Sequence, residues 1–238
     1  MHLAIDTSTD TASLAIAQGS EILAELTWRC GHNHTTRLLP QLMQLLSQTG
    51  ANLQSTDGII VAKGPGSFNG LRVGISTAKG LAFSLGVPIV GVNTLEVEAH
   101  QHASTGLPIC PILNAGKEEI AVALYQTKRK EWHQLTPEHI TTVEALCSEI
   151  TTKTLFCGEF TPFIATQLRN QLKQKAIIPP PSARLRRAGF LAELGQRQLE
   201  AGNFDTPSAL QPIYLRRPHI TKPKQEWRQN GNFAQNIN

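Results

Sequence analysis

The chain has 238 residues, 40% of them hydrophobic and 17% charged, a globular composition with enough apolar side chain for a sizeable core. Its formal net charge of +4 is compatible with a nucleic-acid neighbour and does not require one. No run of about 18 apolar residues occurs, so no membrane-spanning helix is expected.

The opening residues 1–6 have no basic stretch and meet Asp6 at once, so they read as no secretory leader, and the chain reads as soluble and cytoplasmic. Three strands are expected at 3–5, 12–17 and 21–28. Turn chemistry at 7–10 and at Gln18-Gly19 joins them into an antiparallel meander. A helix follows, with Thr35 or Thr36 as its cap and Pro40 in its first turns. Leu38, Leu42 and Leu45 form one stripe, flanked by Leu39, Met43 and Leu46. That face is wide for a helix covering only its own sheet.

An apolar strand at 59–62 then runs into Lys63-Gly64-Pro65-Gly66-Ser67-Phe68-Asn69-Gly70-Leu71-Arg72-Val73-Gly74, and an amphipathic helix runs out to Leu85. This strand, glycine turn and helix aim backbone N–H groups at a helix N-terminus, where an anion is favoured. The turn either holds a phosphate or only holds the fold. It is no P-loop, and Asn69 stands where a dinucleotide fingerprint needs its third glycine. Gly70, Gly74 and Ala78 recur at helical spacing and make a seam of tiny side chains. Either the protein's own sheet or a helix of another subunit fills it.

A strand at 87–92 and a helix at 95–103, capped by Asn93 or Thr94, complete a β-β-β-α-β-α-β-α order. That order implies a mixed sheet with helices packed on it. The pattern partly restarts after Ser104-Thr105-Gly106. Strands are expected at 109–113, 120–126, 131–135, 154–157 and 176–178. Helices are expected from Thr142 to Ile150, at 162–172 and at 188–200, with an extended piece at 209–215. Two related units result: a first lobe over 1–104, a second over 105–217, and a polar, basic tail over 218–238 that reads as disordered.

Few residues suggest chemistry. Asp6 closes the first strand beside Thr7 and Ser8. That cluster suits a hydrated cation near a polyphosphate, or makes an ordinary turn. His32 and His34 lack a third ligand, and Glu118 and Glu119 diverge on a strand, so no metal site and no acid–base pair is expected. Cys30, Cys110, Cys147 and Cys157 match no zinc spacing and read as small thiols in a reducing compartment. The clusters 128–130 and 184–187 are basic. Each is either a solvated face or a phosphate contact.

Several stretches, in this order, resemble the TsaB family. They are Leu3-Ala4-Ile5-Asp6-Thr7-Ser8, His34-Thr35-Thr36-Arg37-Leu38-Leu39-Pro40, the glycine turn through Arg72, Gly80-Leu81-Ala82, and Pro212-Ile213-Tyr214-Leu215-Arg216. The resemblance implies an α/β, actin-like ATPase (ASKHA) fold of two related lobes, each a mixed five-stranded sheet with helices. It also implies a non-catalytic subunit of the machinery that makes threonylcarbamoyladenosine next to the anticodon in tRNA. Such a subunit pairs with the catalytic paralogue TsaD, which the ATPase TsaE joins, and meets tRNA through the complex. A homodimer through the same helices is a third reading, for when the paralogue is absent. No cofactor is expected in the isolated chain, with ATP or ADP reserved for the assembled complex.

On this chain the resemblance places the pairing surface on two helices. Its expected residues are Arg37, Leu38, Leu42, Leu45, Gly70, Gly74 and Ala78. Asn114-Ala115-Gly116 stands where many members have Asp-Ala-Arg, which disfavours a magnesium–nucleotide site in this chain. The competing expectation is an actin-like kinase or ATPase. In that reading Asp6, Thr7, Gly64, Gly66 and Ser67 face the nucleotide.

Overall fold

The computed structural model describes residues 1–216; the basic tail lies outside the described residues. Strands β1 (His2–Asp6), β2 (Thr11–Gln18), β3 (Glu21–Arg29), β4 (Gly58–Ala62) and β5 (Ile89–Val92) form one sheet in the order β3-β2-β1-β4-β5. The first three strands pair antiparallel, while β4 joins β1, and β5 joins β4, in parallel. Strands β6 (Ile109–Gly116), β7 (Glu119–Lys128), β8 (Glu131–Thr142), β9 (Thr154–Cys157) and β10 (Ala176–Ile177) form the other sheet, in the order β10-β9-β6-β7-β8. The two lobes therefore repeat one plan, a meander extended by parallel strands.

Alternation along the strands decides what packs where. Leu3, Ile5, Leu14, Ile16, Ile59 and Val61 face α1 (His34–Thr49) and α2 (Phe68–Leu85). Ala4, Ala15, Ala17 and Ile60 face the opposite way, towards α6 (Ala188–Glu200). The alanines let α6 lie close: a Cβ on Gly195 would come within 2.2 Å of Ile60. In the second sheet, Cys110, Ile112, Ile120 and Val122 face α4 (Val143–Glu149) and α5 (Pro162–Leu172). The other face takes Leu95 and Ala99 of α3 (Thr94–His100), whose Val97 packs with the first lobe. So α3 is the shared wall between the lobes.

Several boundaries differ from the sequence reading. Helix α6 belongs to the first sheet, so the second-lobe span 105–217 does not hold for it. The chain returns to the first lobe only after leaving β10. Strand β8 runs to Thr142, through Pro137, rather than stopping near 135. It is an edge strand, where a missing N–H leaves no ladder bond unmade. Helix α1 begins at His34 after Asn33, and neither Thr35 nor Thr36 caps it. Helix α3 ends at His100. Residues 209–215 form no named strand, although Ile213 N–H donates to the Lys63 carbonyl at 2.7 Å.

Candidate functional site

The interlobe cleft is built where β1 ends. Asp6 is fully buried there, and its Oδ1 accepts from the Ser8 amide at 2.8 Å and the Ser8 hydroxyl at 2.6 Å. Thr7 Oγ1 donates to the Gly70 carbonyl at 2.8 Å. Ser67 caps α2 through Gly70 N–H, and its own N–H donates to the Ser8 carbonyl at 2.6 Å. Gly64 N–H donates to Thr94 Oγ1 at 3.1 Å, and Thr94 N–H returns a bond to the Gly64 carbonyl. The β1–β2 turn and the glycine turn therefore satisfy one another.

Their approach is too close for side chains. A Cβ on Gly66 would meet the Ser8 carbonyl at 2.1 Å, one on Gly70 the Thr7 carbonyl at 2.2 Å, and one on Gly74 Thr7 Oγ1 at 2.2 Å. The glycine turn holds the fold together. Of the set expected to face a nucleotide, Asp6, Thr7 and Gly64 are buried, and the Ser67 amide is committed to Ser8. Gly66 and Ser67 are the exposed members of that set, and Gly66 lines an interlobe cavity of about 300 Å3 walled mainly by Pro65, Phe68, Leu113, Ala115 and Tyr214.

A residue of the basic cluster 184–187, read from sequence as a solvated face or a phosphate contact, occupies the cleft. Arg186 is 1% exposed. Its Nε donates to Asp6 Oδ2 at 2.5 Å, its Nη1 to Glu159 at 3.2 Å and to Glu98 at 3.4 Å, and its Nη2 to Thr9 Oγ1 at 2.9 Å. Thr9 Oγ1 in turn donates to Glu159 at 2.6 Å. Asp6 and Thr9 come from the first lobe, Glu159 follows β9 of the second, and Glu98 lies on the helix between them. One guanidinium thus ties both lobes together.

Three carboxylates around one cation cannot all stay ionised without cost. Burial pushes Glu98 up to about 8, against the pull of Arg186, and Glu159 and Asp6 push the same way. Burial opposes the charge on Arg186, but Asp6, Glu159 and Glu98 outweigh it and raise its pKa. The cluster is stably charged, with Glu98 as the group that keeps a proton.

The expected pairing residues also move. Leu38, Leu42 and Leu45 are buried under the first sheet, and Gly70, Gly74 and Ala78 pack inward, the glycines against Thr7. None of the six faces outward. The wide apolar face of α1 is two faces. The outer one shows Arg37, Leu39 at 48% exposure and Met43 at 57%, while α2 shows Phe83 at 86%. His34 is buried, with Nε2 at 2.8 Å from the Thr9 carbonyl. Cys30, Cys110 and Cys157 are buried free thiols.

The family model for TsaD, the tRNA N6-adenosine threonylcarbamoyltransferase, matches residues 28–198. A Bacillus subtilis (strain 168) protein named tRNA threonylcarbamoyladenosine biosynthesis protein TsaB is 32% identical over 217 residues, which is 90% of this chain and 93% of that one. The chain belongs to the TsaB family. The Escherichia coli (strain K12) TsaB is 33% identical over 55% of this chain and 58% of its own length. Among solved structures, YeaZ from Pseudomonas aeruginosa superposes with a TM-score of 0.75 at 24% identity, covering 90% of this chain and 99% of that one. The two mixed five-stranded sheets with their helices are the actin-like ATPase fold expected of the family.

A Fervidobacterium nodosum tRNA N6-adenosine threonylcarbamoyltransferase is 36% identical over 106 residues, 38% of this chain and 32% of that one. TsaB and transferase are thus related in sequence. No described helix is long and apolar enough to cross a membrane.

Proposed function

We propose that the chain is a non-catalytic, cytoplasmic subunit in the making of threonylcarbamoyladenosine in tRNA. It pairs with a TsaD-type catalytic paralogue, a TsaE-type ATPase joins the pair, and tRNA is met through the complex. The names of its relatives support the pathway. One observation carries the non-catalytic reading: Arg186 is locked onto Asp6 in the cleft, at the strand end where an actin-like enzyme would need a free carboxylate. The Ser67 and Gly64 N–H groups of the glycine turn are given to Ser8 and Thr94, which leaves the turn fewer donors for a phosphate.

The pairing surface in this reading is the outer face of α1, with Arg37, Leu39 and Met43. Exposed apolar side chains on one helix face are what a partner helix buries. A second copy covers the same residues when the paralogue is absent, and ATP or ADP belongs to the assembled complex. The test is reconstitution. The paralogue alone, and the paralogue with this chain, are assayed for modified adenosine in tRNA with the ATPase present. The chain is expected to be required and to co-elute with the paralogue. Magnesium-dependent ATP turnover by the isolated chain, or full activity without it, overturns the reading.

A further inference from the structure

Beside the filled cleft lies an open groove of about 390 Å3, with α2 as one wall and residues 210–214 as the other. Arg72, Ser76 and Lys79 line the helical wall, one to two turns apart on one side of α2. Gln211, Pro212 and Tyr214 line the facing wall. No acidic residue lines the groove, and α2 contains none. Among the described residues, neither Arg72 nor Lys79 has a carboxylate partner, a state they share with most of the described lysines and arginines. Two cations in an open groove without a counter-ion select an anion.

The planar groups narrow the class. The Arg72 guanidinium lies over the Phe68 ring, 4.0 Å from its centroid. The Phe68 and Tyr214 rings are 5.1 Å apart, and Tyr214 remains 37% exposed. Flat, stackable side chains therefore continue the cationic wall. An acidic peptide would satisfy the cations and leave the rings unused. A single-stranded nucleic acid uses both, phosphates on the cations and a base on the exposed ring.

We infer that the groove between α2 and residues 210–214 is a contact site for unpaired RNA, with Arg72 and Lys79 on phosphates and Tyr214 as the stacking face. The inference rests on the reading of the chain as part of a tRNA-modifying assembly and gives that assembly an RNA contact outside the catalytic subunit.

The full chain, alone and paired with its paralogue, is titrated with a fluorescent anticodon stem-loop transcript at several salt concentrations. Arg72→Ala/Lys79→Ala is expected to weaken binding at least tenfold at low salt. It should also flatten the slope of log affinity against log salt by about 1.4, at about 0.7 per lost single-strand phosphate contact. Tyr214→Ala is expected to weaken binding with the slope unchanged. Lys173→Ala/Lys175→Ala, which removes the same charge at two exposed lysines elsewhere, is expected to bind like the parent. Equal loss in that control, unchanged RNA affinity in the double variant, or loss of protein pairing without loss of RNA affinity overturns the groove. Modification activity is read in parallel. An assembly that still requires this chain but is indifferent to Arg72 and Lys79 refutes the groove and leaves the subunit reading standing. An assembly that never requires the chain refutes the subunit reading.

Discussion

Arg186 Nε lies 2.5 Å from Asp6 Oδ2, although 180 residues separate the two in the chain. Both side chains are almost wholly buried, and the pair closes the cleft between the lobes. Removing one partner from a buried ion pair leaves the other charge uncompensated, which typically costs about 3–5 kcal/mol. Arg186→Met is therefore expected to lower unfolding stability by about that amount. Arg186→Lys keeps the charge but lacks the fork that reaches Glu98, Glu159 and Thr9, and should recover only part of it. Urea titration of the three proteins measures the order. Equal midpoints would mean that the pair contributes nothing to holding the lobes together.

Glu98 gives the same cluster a pH signature. Burial raises its pKa to about 8 in the folded chain, whereas the unfolded side chain titrates near the ordinary carboxyl value of 4.5. Between those values the folded state holds a proton that the unfolded state has lost. The stability from this group is complete below about 4.5 and is lost as pH rises through about 8. Glu98→Gln keeps the neutral shape at every pH. Its midpoint is expected to match the parent at the acid end of that window and to exceed it above pH 8. A parent-like decline in the variant would assign the pH dependence to another group.

The glycine seam supplies a packing prediction. Gly74→Ala places a methyl 2.2 Å from Thr7 Oγ1, so something must shift. Overpacking of this kind costs about 1–3 kcal/mol. Thr7→Ala removes the obstructing hydroxyl, and the Gly74→Ala/Thr7→Ala pair is expected to be more stable than the two single effects predict. A double-mutant cycle on thermal midpoints reads the coupling. Strict additivity would place Gly74 away from Thr7.

These residues also show what sequence can carry. Apolar alternation gave both sheets because each strand is sandwiched, and the meander, the parallel additions and the duplication follow from it. The seam at Gly70, Gly74 and Ala78 was visible by spacing. Its partner was not, because the Thr7 that fills it lies on a different element, far back in the chain. Arg186 looked like its surface neighbours Arg184 and Arg187, since a cluster of three arginines says nothing of which one turns inward. Only the path of α6 back onto the first sheet brings it to Asp6. Leu38 and Leu39 were equally apolar in sequence, and tertiary packing alone separates them into core and surface.

Leu42 and Met43 are neighbours on α1 with opposite burial, and that contrast separates folding from pairing. Leu42 is fully buried in the first-lobe core, whereas Met43 is 57% exposed and Leu39 is 48% exposed. Leu42→Ala removes buried methyl groups and is expected to cost about 2–5 kcal/mol of stability. It should leave the affinity of the remaining folded protein for the paralogue nearly unchanged. Met43→Glu and Leu39→Glu place charges where side chains already meet solvent, so each should move stability by no more than about 0.5 kcal/mol. A desolvated charge at a paired helix face is costly, so both should weaken pairing at least tenfold. Thermal melts of the isolated chain and titration calorimetry against the paralogue measure the two columns of effect. Normal pairing by both glutamate variants would move the interface off the outer face of α1, since no partner helix could bury those positions without loss.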